Sequence, residues 1–154
     1  ISFKERRPAG RRFSCSQRFL RGALIYGMHQ HGTVIRRAEA EQNAIVEAWG
    51  SLCWVATEEL THTPGLTLGR VTLQPGASNP RHSHPNCDEV LYVLRGRLQH
   101  ETGGEITILE AGDTLAIPAG VAHQAVNIGT EEADTIVAYS AGQREFKLEP
   151  ALNS

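Results

Sequence analysis

The chain has 154 residues, 40% of them hydrophobic and 15 of them glycine, with a net charge of −2, so one domain of ordinary size is the expectation. No run approaches the ~20 apolar residues of a membrane span. Residues 1–28 hold seven basic side chains and one acidic one, which leaves the remainder acidic, and an acidic body is a poor partner for a phosphate backbone.

In chain order, residues 1–40 read as a separable basic segment, with the body at 41–154. Met28 is the only methionine and is read as the natural start; a targeting segment or an arm are the alternatives. The cysteines Cys15, Cys53 and Cys87 are odd in number and sparse, which speaks against a disulfide framework and for a reducing, cytoplasmic setting. Residues 36–50, RRAEAEQNAIVEAWG, open on a polar turn or short helix. Strand-like runs rich in β-branched and aromatic residues follow at 51–57, 66–74, 89–94, 97–102, 105–111, 114–119, 123–129 and 134–141. The breaks between them carry the Gly, Pro and Asp that turns require, and TGGE at 102–105 predicts a hairpin. Many short strands at regular spacing predict an all-β sandwich or barrel.

Chemistry concentrates in two stretches, Gly76 to Gly96 and Gly112 to Asn127. His82 and His84 lie two apart on an extended segment, so both imidazoles point to one side. Glu89 opens the strand-like run EVLYVL, and His123 stands on VAHQAVN, to be brought back by the fold. Three neutral imidazoles and a carboxylate suit one divalent Fe, Mn, Ni, Cu, Co or Zn ion better than Ca or Mg. His62 and His100 lack such company. His29 and His31 form a second His-x-His pair that nothing downstream completes, and Cys87 is read as a loop residue between two ligands.

These segments resemble both motifs of the cupin family, position for position. The first is Gly, five residues, His-x-His, four residues, Glu, six residues, Gly; the second is Gly, five residues, Pro-x-Gly, two residues, His, three residues, Asn. The resemblance covers about residues 46–148 and is similar to small, single-domain bacterial members. It implies a double-stranded β-helix, or jelly-roll barrel, with His82, His84, Glu89 and His123 as metal ligands. It also implies a homodimer paired through exposed sheet surfaces. The family hosts dioxygenases, decarboxylases, isomerases, lyases and polyketide cyclases, so the expectation is a metal-dependent enzyme on a small oxygenated substrate. The alternative is a sensor or binding module that holds a small ligand without turnover.

Period-two alternation from the ligands places Leu91 and Val93 inward after Glu89, and Ala125 and Asn127 inward after His123. These four, with Arg81 at the mouth, are the candidate substrate contacts. Asn79 shares that position. If Leu98 faces inward so does His100, the candidate acid or base. Tyr92, out of phase with Glu89, is expected outside, and Trp49 and Trp54 in the core or an interface.

Overall fold

The computed structural model describes residues 32–151. The expectations for residues 1–31, including Met28 and the His29/His31 pair, lie outside the described residues. Helix α1 (Arg37–Gln42) leads into β1 (Ile45–Glu47), β2 (Gly50–Ala56), helix α2 (Glu58–Thr61) and β3 (Thr67–Leu73). Then come β4 (His82–Ser83), β5 (Glu89–Arg95), β6 (Arg97–Thr102), β7 (Glu105–Glu110), β8 (Thr114–Ile117), β9 (His123–Asn127), β10 (Ala133–Tyr139) and β11 (Lys147–Leu148). All eight strand-like runs read from the sequence are strands. The additions are β1, β4, β11 and α2, each too short to show a hydrophobic period. Thr57, expected to end a strand, instead caps α2, its hydroxyl accepting the Leu60 N–H at 3.2 Å. The compact unit begins at Thr33, and Ala40, at the boundary expected from composition, is buried within α1.

The strands form two antiparallel sheets, ordered β1-β2-β3-β10-β5-β8 and β11-β4-β9-β6-β7. This is the all-β jelly-roll barrel: from β4 to β11 consecutive strands alternate between the sheets except at the β6–β7 hairpin, so both sheets contribute to one interior. The β6–β7 hairpin turns on Gly103 and Gly104, with φ of 61° and 95°, the positive angles that a two-residue turn between twisted strands demands. Gly96 ends the first motif at φ 92°, and a Cβ there would stand 2.8 Å from the Cα of Ala133. Only glycine therefore lets β5 turn into β6 against the start of β10.

Inward-facing Leu73, Leu91, Val93, Leu98, Leu109, Ala125, Ala133 and Val137 form one apolar cluster, with Trp49 and Trp54 packed against it. Gly69 makes room for Trp54, whose ring lies where a Cβ would be, at 2.8 Å. Along β5 burial alternates cleanly, with Glu89, Leu91 and Val93 inside and Val90, Tyr92 and Leu94 exposed. Cys53 and Cys87 are free thiols. No helix among the described residues is long and apolar enough to cross a membrane.

Asn127 is inward, as expected, and fully buried, but the structure corrects its assignment to substrate. Its Nδ2 donates to the carbonyls of Leu73 at 2.9 Å and Glu131 at 2.8 Å, and its Oδ1 accepts the Gly129 N–H at 2.9 Å. No donor remains for a ligand; the side chain ties β3, β9 and the loop before β10 together. Asn127→Ala would strand those groups, and an unmade buried hydrogen bond costs about 1–3 kcal/mol. Urea unfolding should show a loss of that size with an unchanged denaturant slope, and an unaltered midpoint would refute the clamp.

Candidate metal centre

Three strands, β4, β5 and β9, bring the four residues together. His82 lies on β4 directly opposite His123 on β9, and His84 follows two residues later on the same side. Glu89 starts β5, where it pairs with Tyr139 of β10 on one side and Ile117 of β8 on the other. The sheets thus bring three imidazoles and a carboxylate, all buried, to one place, with one ligand atom from each lying within 4.8 Å of the others. The His82 ring centroid is 4.9 Å from that of His84 and 4.3 Å from that of His123.

The hydrogen bonds around the rings decide which nitrogen faces inward. Nδ1 of His82 meets the Pro80 carbonyl at 2.8 Å, Nδ1 of His84 the Glu145 carbonyl at 2.7 Å, and Nδ1 of His123 the Val121 carbonyl at 2.9 Å. A carbonyl only accepts, so each neutral ring carries its proton on Nδ1 and turns the Nε2 lone pair to the centre. Backbone contacts of this kind fix tautomer and ring orientation at metal sites. Glu89 Oε2 lies 3.2 Å from His84 Nε2 and 3.1 Å from His123 Nε2. Yet the buried Nε2 of His84, Nε2 of His123 and Oε2 of Glu89 have no hydrogen-bond partner. Lone pairs facing lone pairs in a buried site repel unless a cation lies among them. The donor set fits a transition metal ion.

Electrostatics keeps Glu89 ionised and His82 neutral, but favours a proton on His123. Burial pushes the Glu89 carboxyl upward, but the adjoining His123 and His84 imidazoles outweigh it and hold the group well below the usual carboxylate range. Burial, reinforced by His123, drives His82 down to about 3. Burial lowers His123 too, but the adjoining Glu89 carboxylate outweighs it and raises that imidazole.

The remaining candidates sort by geometry. Leu91 and Ala125, two residues beyond Glu89 and His123, are buried in the apolar cluster, as is Val93. Arg81 is corrected: the residue before His82 points away from the imidazoles. Its Nε donates to Glu101 at 2.8 Å and its Nη1 to the Pro150 carbonyl at 3.1 Å, so its charge is spent on a largely buried ion pair. Asn79 is likewise occupied, its Oδ1 accepting the Ala125 N–H at 2.9 Å. His100 faces inward, its ring stacked near that of His123 at 5.8 Å and its Nδ1 2.9 Å from the Thr102 hydroxyl. Burial, then His123, pushes its pKa down to about 4. It is neutral at pH 7 and placed to pack His123. Cys87 is buried in the apolar cluster and outside the ligand group.

Three neighbours were missed in the sequence. Tyr139 lies edge-on to His84 at 4.8 Å, and Phe146 stacks on His82 at 4.7 Å with planes 22° apart. Arg144 reaches over Tyr139 from the last loop. Alternation along DTIVAYS could have found Tyr139, but nothing local marks Arg144 or Phe146. They arrive on a C-terminal strap that follows the ligand segment closely. The Gln143 carbonyl accepts from Asn86, Glu145 donates its N–H to Asn86, β11 pairs with β4, and Glu149 donates its N–H to the Arg81 carbonyl.

A double-stranded β-helix with three buried histidines and a glutamate converging in its interior resembles the cupins, with a group that could hold a metal. Residues 69–139 match the Cupin_2 family model, described as "Cupin domain", so that segment is similar to cupin domains. Germin-like protein 3-8 of Oryza sativa subsp. japonica is 38% identical over 85 residues, covering 52% of this chain and 38% of the relative. Oxalate oxidase GF-2.8 of Triticum aestivum is 33% identical over 89 residues, covering 53% and 40%. The chain therefore spans well under half the length of these curated relatives. Both are plant proteins, so they lend no support to the bacterial affiliation implied by the motifs. A solved oxalate oxidase superposes with a TM-score of 0.60 at 27% identity, over 64% of this chain and 54% of that one. A double-stranded β-helix protein from Klebsiella pneumoniae gives 0.61 at 24% identity, over 68% and 88%, and shows the fold alone.

Chelator treatment should lower the melting temperature and divalent transition metal should restore it, because a ligand at 100 times its Kd stabilises the folded state by about 2.7 kcal/mol. Glu89→Gln and His84→Ala should abolish both the metal stoichiometry and that response. Full metal content in either variant would reject the centre.

Proposed function

We propose that this cupin-like domain holds one divalent transition metal ion through His82, His84, Glu89 and His123 and acts as an enzyme on a small oxygenated organic acid. The observation that carries this reading is the locking of three Nδ1–H groups onto backbone carbonyls, which leaves three Nε2 lone pairs and the Glu89 carboxylate converging in a buried site. The likeness to proteins named oxalate oxidase supports a small carboxylate as substrate. A bound metal would supply Lewis acidity, together with electron transfer if it is a redox-active ion.

The chain's own residues hold and shield the ligand set. With their Nδ1 edges on backbone carbonyls, His82, His84 and His123 each offer Nε2 as the ligand atom, and Glu89 contributes the one carboxylate among the four. Leu91 and Ala125 present only hydrocarbon, which lowers the local dielectric and strengthens every charge interaction in the site. Phe146, stacked on His82, and Tyr139, against His84, limit the rings' freedom to swing away from that geometry.

Metal-loaded protein incubated with oxalate, glycolate, diketones, phenols and aromatic polyketones, with oxygen uptake and product masses recorded, tests the reaction. Turnover of a small acid that is absent in Glu89→Gln is expected. Compounds bound but recovered unchanged would favour a ligand-holding module, and full activity in metal-free protein would sink the metal mechanism.

We further propose that two copies pair through the outer face of the six-stranded sheet, where Val90, Tyr92 and Leu94 are exposed in a row. Exposed apolar patches of this kind mark association surfaces. Light scattering at twice the chain mass is expected, and a monomer at micromolar concentration would overturn it.

A further inference from the structure

Two of the three imidazole locks are local and one is not. The Pro80 carbonyl at His82 Nδ1 and the Val121 carbonyl at His123 Nδ1 each lie two residues before the ring they fix. The carbonyl at His84 Nδ1 belongs to Glu145, 61 residues downstream. His84 therefore keeps this lock only while the C-terminal strap, residues 143–150, is docked. The same strap serves His82. Phe146 stacks on its ring at 4.7 Å, and β4 has one ladder pair with β9 against two with β11. Further links bracket both histidines: Ser83 Oγ donates to Glu149 at 2.7 Å, Asn86 Nδ2 to the Gln143 carbonyl at 2.8 Å, and the Glu145 N–H to Asn86 Oδ1 at 2.9 Å.

The strap itself is lightly rooted. None of its residues belongs to the apolar cluster, and residues 145–148 are exposed. Segments with few buried apolar contacts open locally at much lower free energy than core strands. What roots this one is Arg144. Its guanidinium carbon lies 4.5 Å from the ring centroid of Trp54, 5.2 Å from that of Tyr139 and 5.6 Å from that of Phe146, and aromatic faces attract a cation without any ion pair. Trp54 on β2 and Tyr139 on β10 belong to the six-stranded sheet, whereas β11 joins the five-stranded one. Arg144 thus pins the strap to one sheet and β11 to the other. It approaches His84 on the outer, Nδ1 edge at 3.4 Å, so it acts on the ligand from behind.

We propose that strap docking and metal binding are coupled, with Arg144 and Phe146 as the positioning residues that set the affinity of the centre. A docked strap preorganises His84 and His82, and by linkage a bound metal holds the strap down by the same factor. The inference rests on the metal-holding half of the function proposed above and is independent of the substrate. Both residues lie beyond residue 139, outside the segment that matches the family model, so the coupling is a property of this chain's own C-terminal extension.

The experiment uses the full chain with Co2+ as the probe, its affinity read by chelator competition and its geometry by visible absorption. Arg144→Ala and Phe146→Ala should each weaken Co2+ binding tenfold or more and alter the absorption of the bound ion. The melting temperature of the chelator-treated protein should change little, because the strap opens below the global transition. Arg144→Lys and Phe146→Tyr, which keep the cation and the ring, should recover most of the affinity. In the wild-type chain, amide hydrogen exchange over 143–149 should slow at least tenfold on adding Co2+, while β3 is unaffected. Unchanged affinity in both alanine variants would overturn the proposal, as would a fall in affinity matched by collapse of the chelator-treated melting temperature, which assigns both residues to general stability. If the variants do not fold, the exchange measurement decides alone, and equal strap exchange with and without Co2+ refutes the coupling. A wild-type chain that takes no Co2+ sinks the metal reading and the coupling together; uptake without these effects sinks the coupling only.

Discussion

Everything in this molecule turns on one unfavourable contact: a buried carboxylate oxygen facing two imidazole nitrogens with no proton between them. Left alone, the chain would relieve it by rotating a ring or protonating a group. It cannot rotate the rings, because the proton on each Nδ1 is held by a carbonyl of the backbone itself. The backbone thus holds three Nε2 atoms against the Glu89 carboxylate, an arrangement that a bound cation or a proton on His123 relieves, and the rigidity of the two sheets keeps that cluster in place.

The same constraint explains how the other elements are used. β4 is two residues long, yet it is pinned on both flanks, by β9 and by β11. Pinning matters because His82 and His84 sit on a segment with too few ladder bonds to hold itself. The strap supplies the rest: a carbonyl for His84, a ring for His82, and an acceptor for Arg81. Arg81, whose charge invites a substrate role, serves this anchorage. Asn127, whose amide invites the same, closes the opposite end by joining two strands and a loop. Both cases have one cause, since a polar side chain entering a barrel must satisfy its donors, and the nearest acceptors are the protein's own carbonyls and carboxylates.

Much of this was legible in the residues. Alternation along EVLYVL and HQAVN correctly turned Leu91, Val93, Ala125 and Asn127 inward and Tyr92 outward, because strand side chains alternate regardless of context. The glycines at the motif ends marked turns, as Gly96 and the Gly103–Gly104 hairpin confirm. Period-two reasoning also brought His100 inside, although only the structure shows it stacked against His123. Elements shorter than one period escaped: β1, β4, β11 and α2 are defined by partners distant in sequence. Arg144 and Phe146 escaped for a related reason, since their neighbours lie about 60 residues upstream on β4 and the loop that follows it.

The spacing of His82, His84, Glu89 and His123 by itself marked a metal-capable set, and the regular run of short strands marked an all-β body, because both are legible in local sequence. What those four residues present to the centre was decided only by the tertiary structure. Which nitrogen of each ring points inward depends on carbonyls at Pro80, Val121 and Glu145, and only the folded chain brings the third of these to His84. Whether a charged side chain is free or spent is likewise a matter of what the fold lays beside it. Arg81, adjacent to the motif, is consumed by Glu101, whereas Arg144, far from it in sequence, is held by three rings with its donors open.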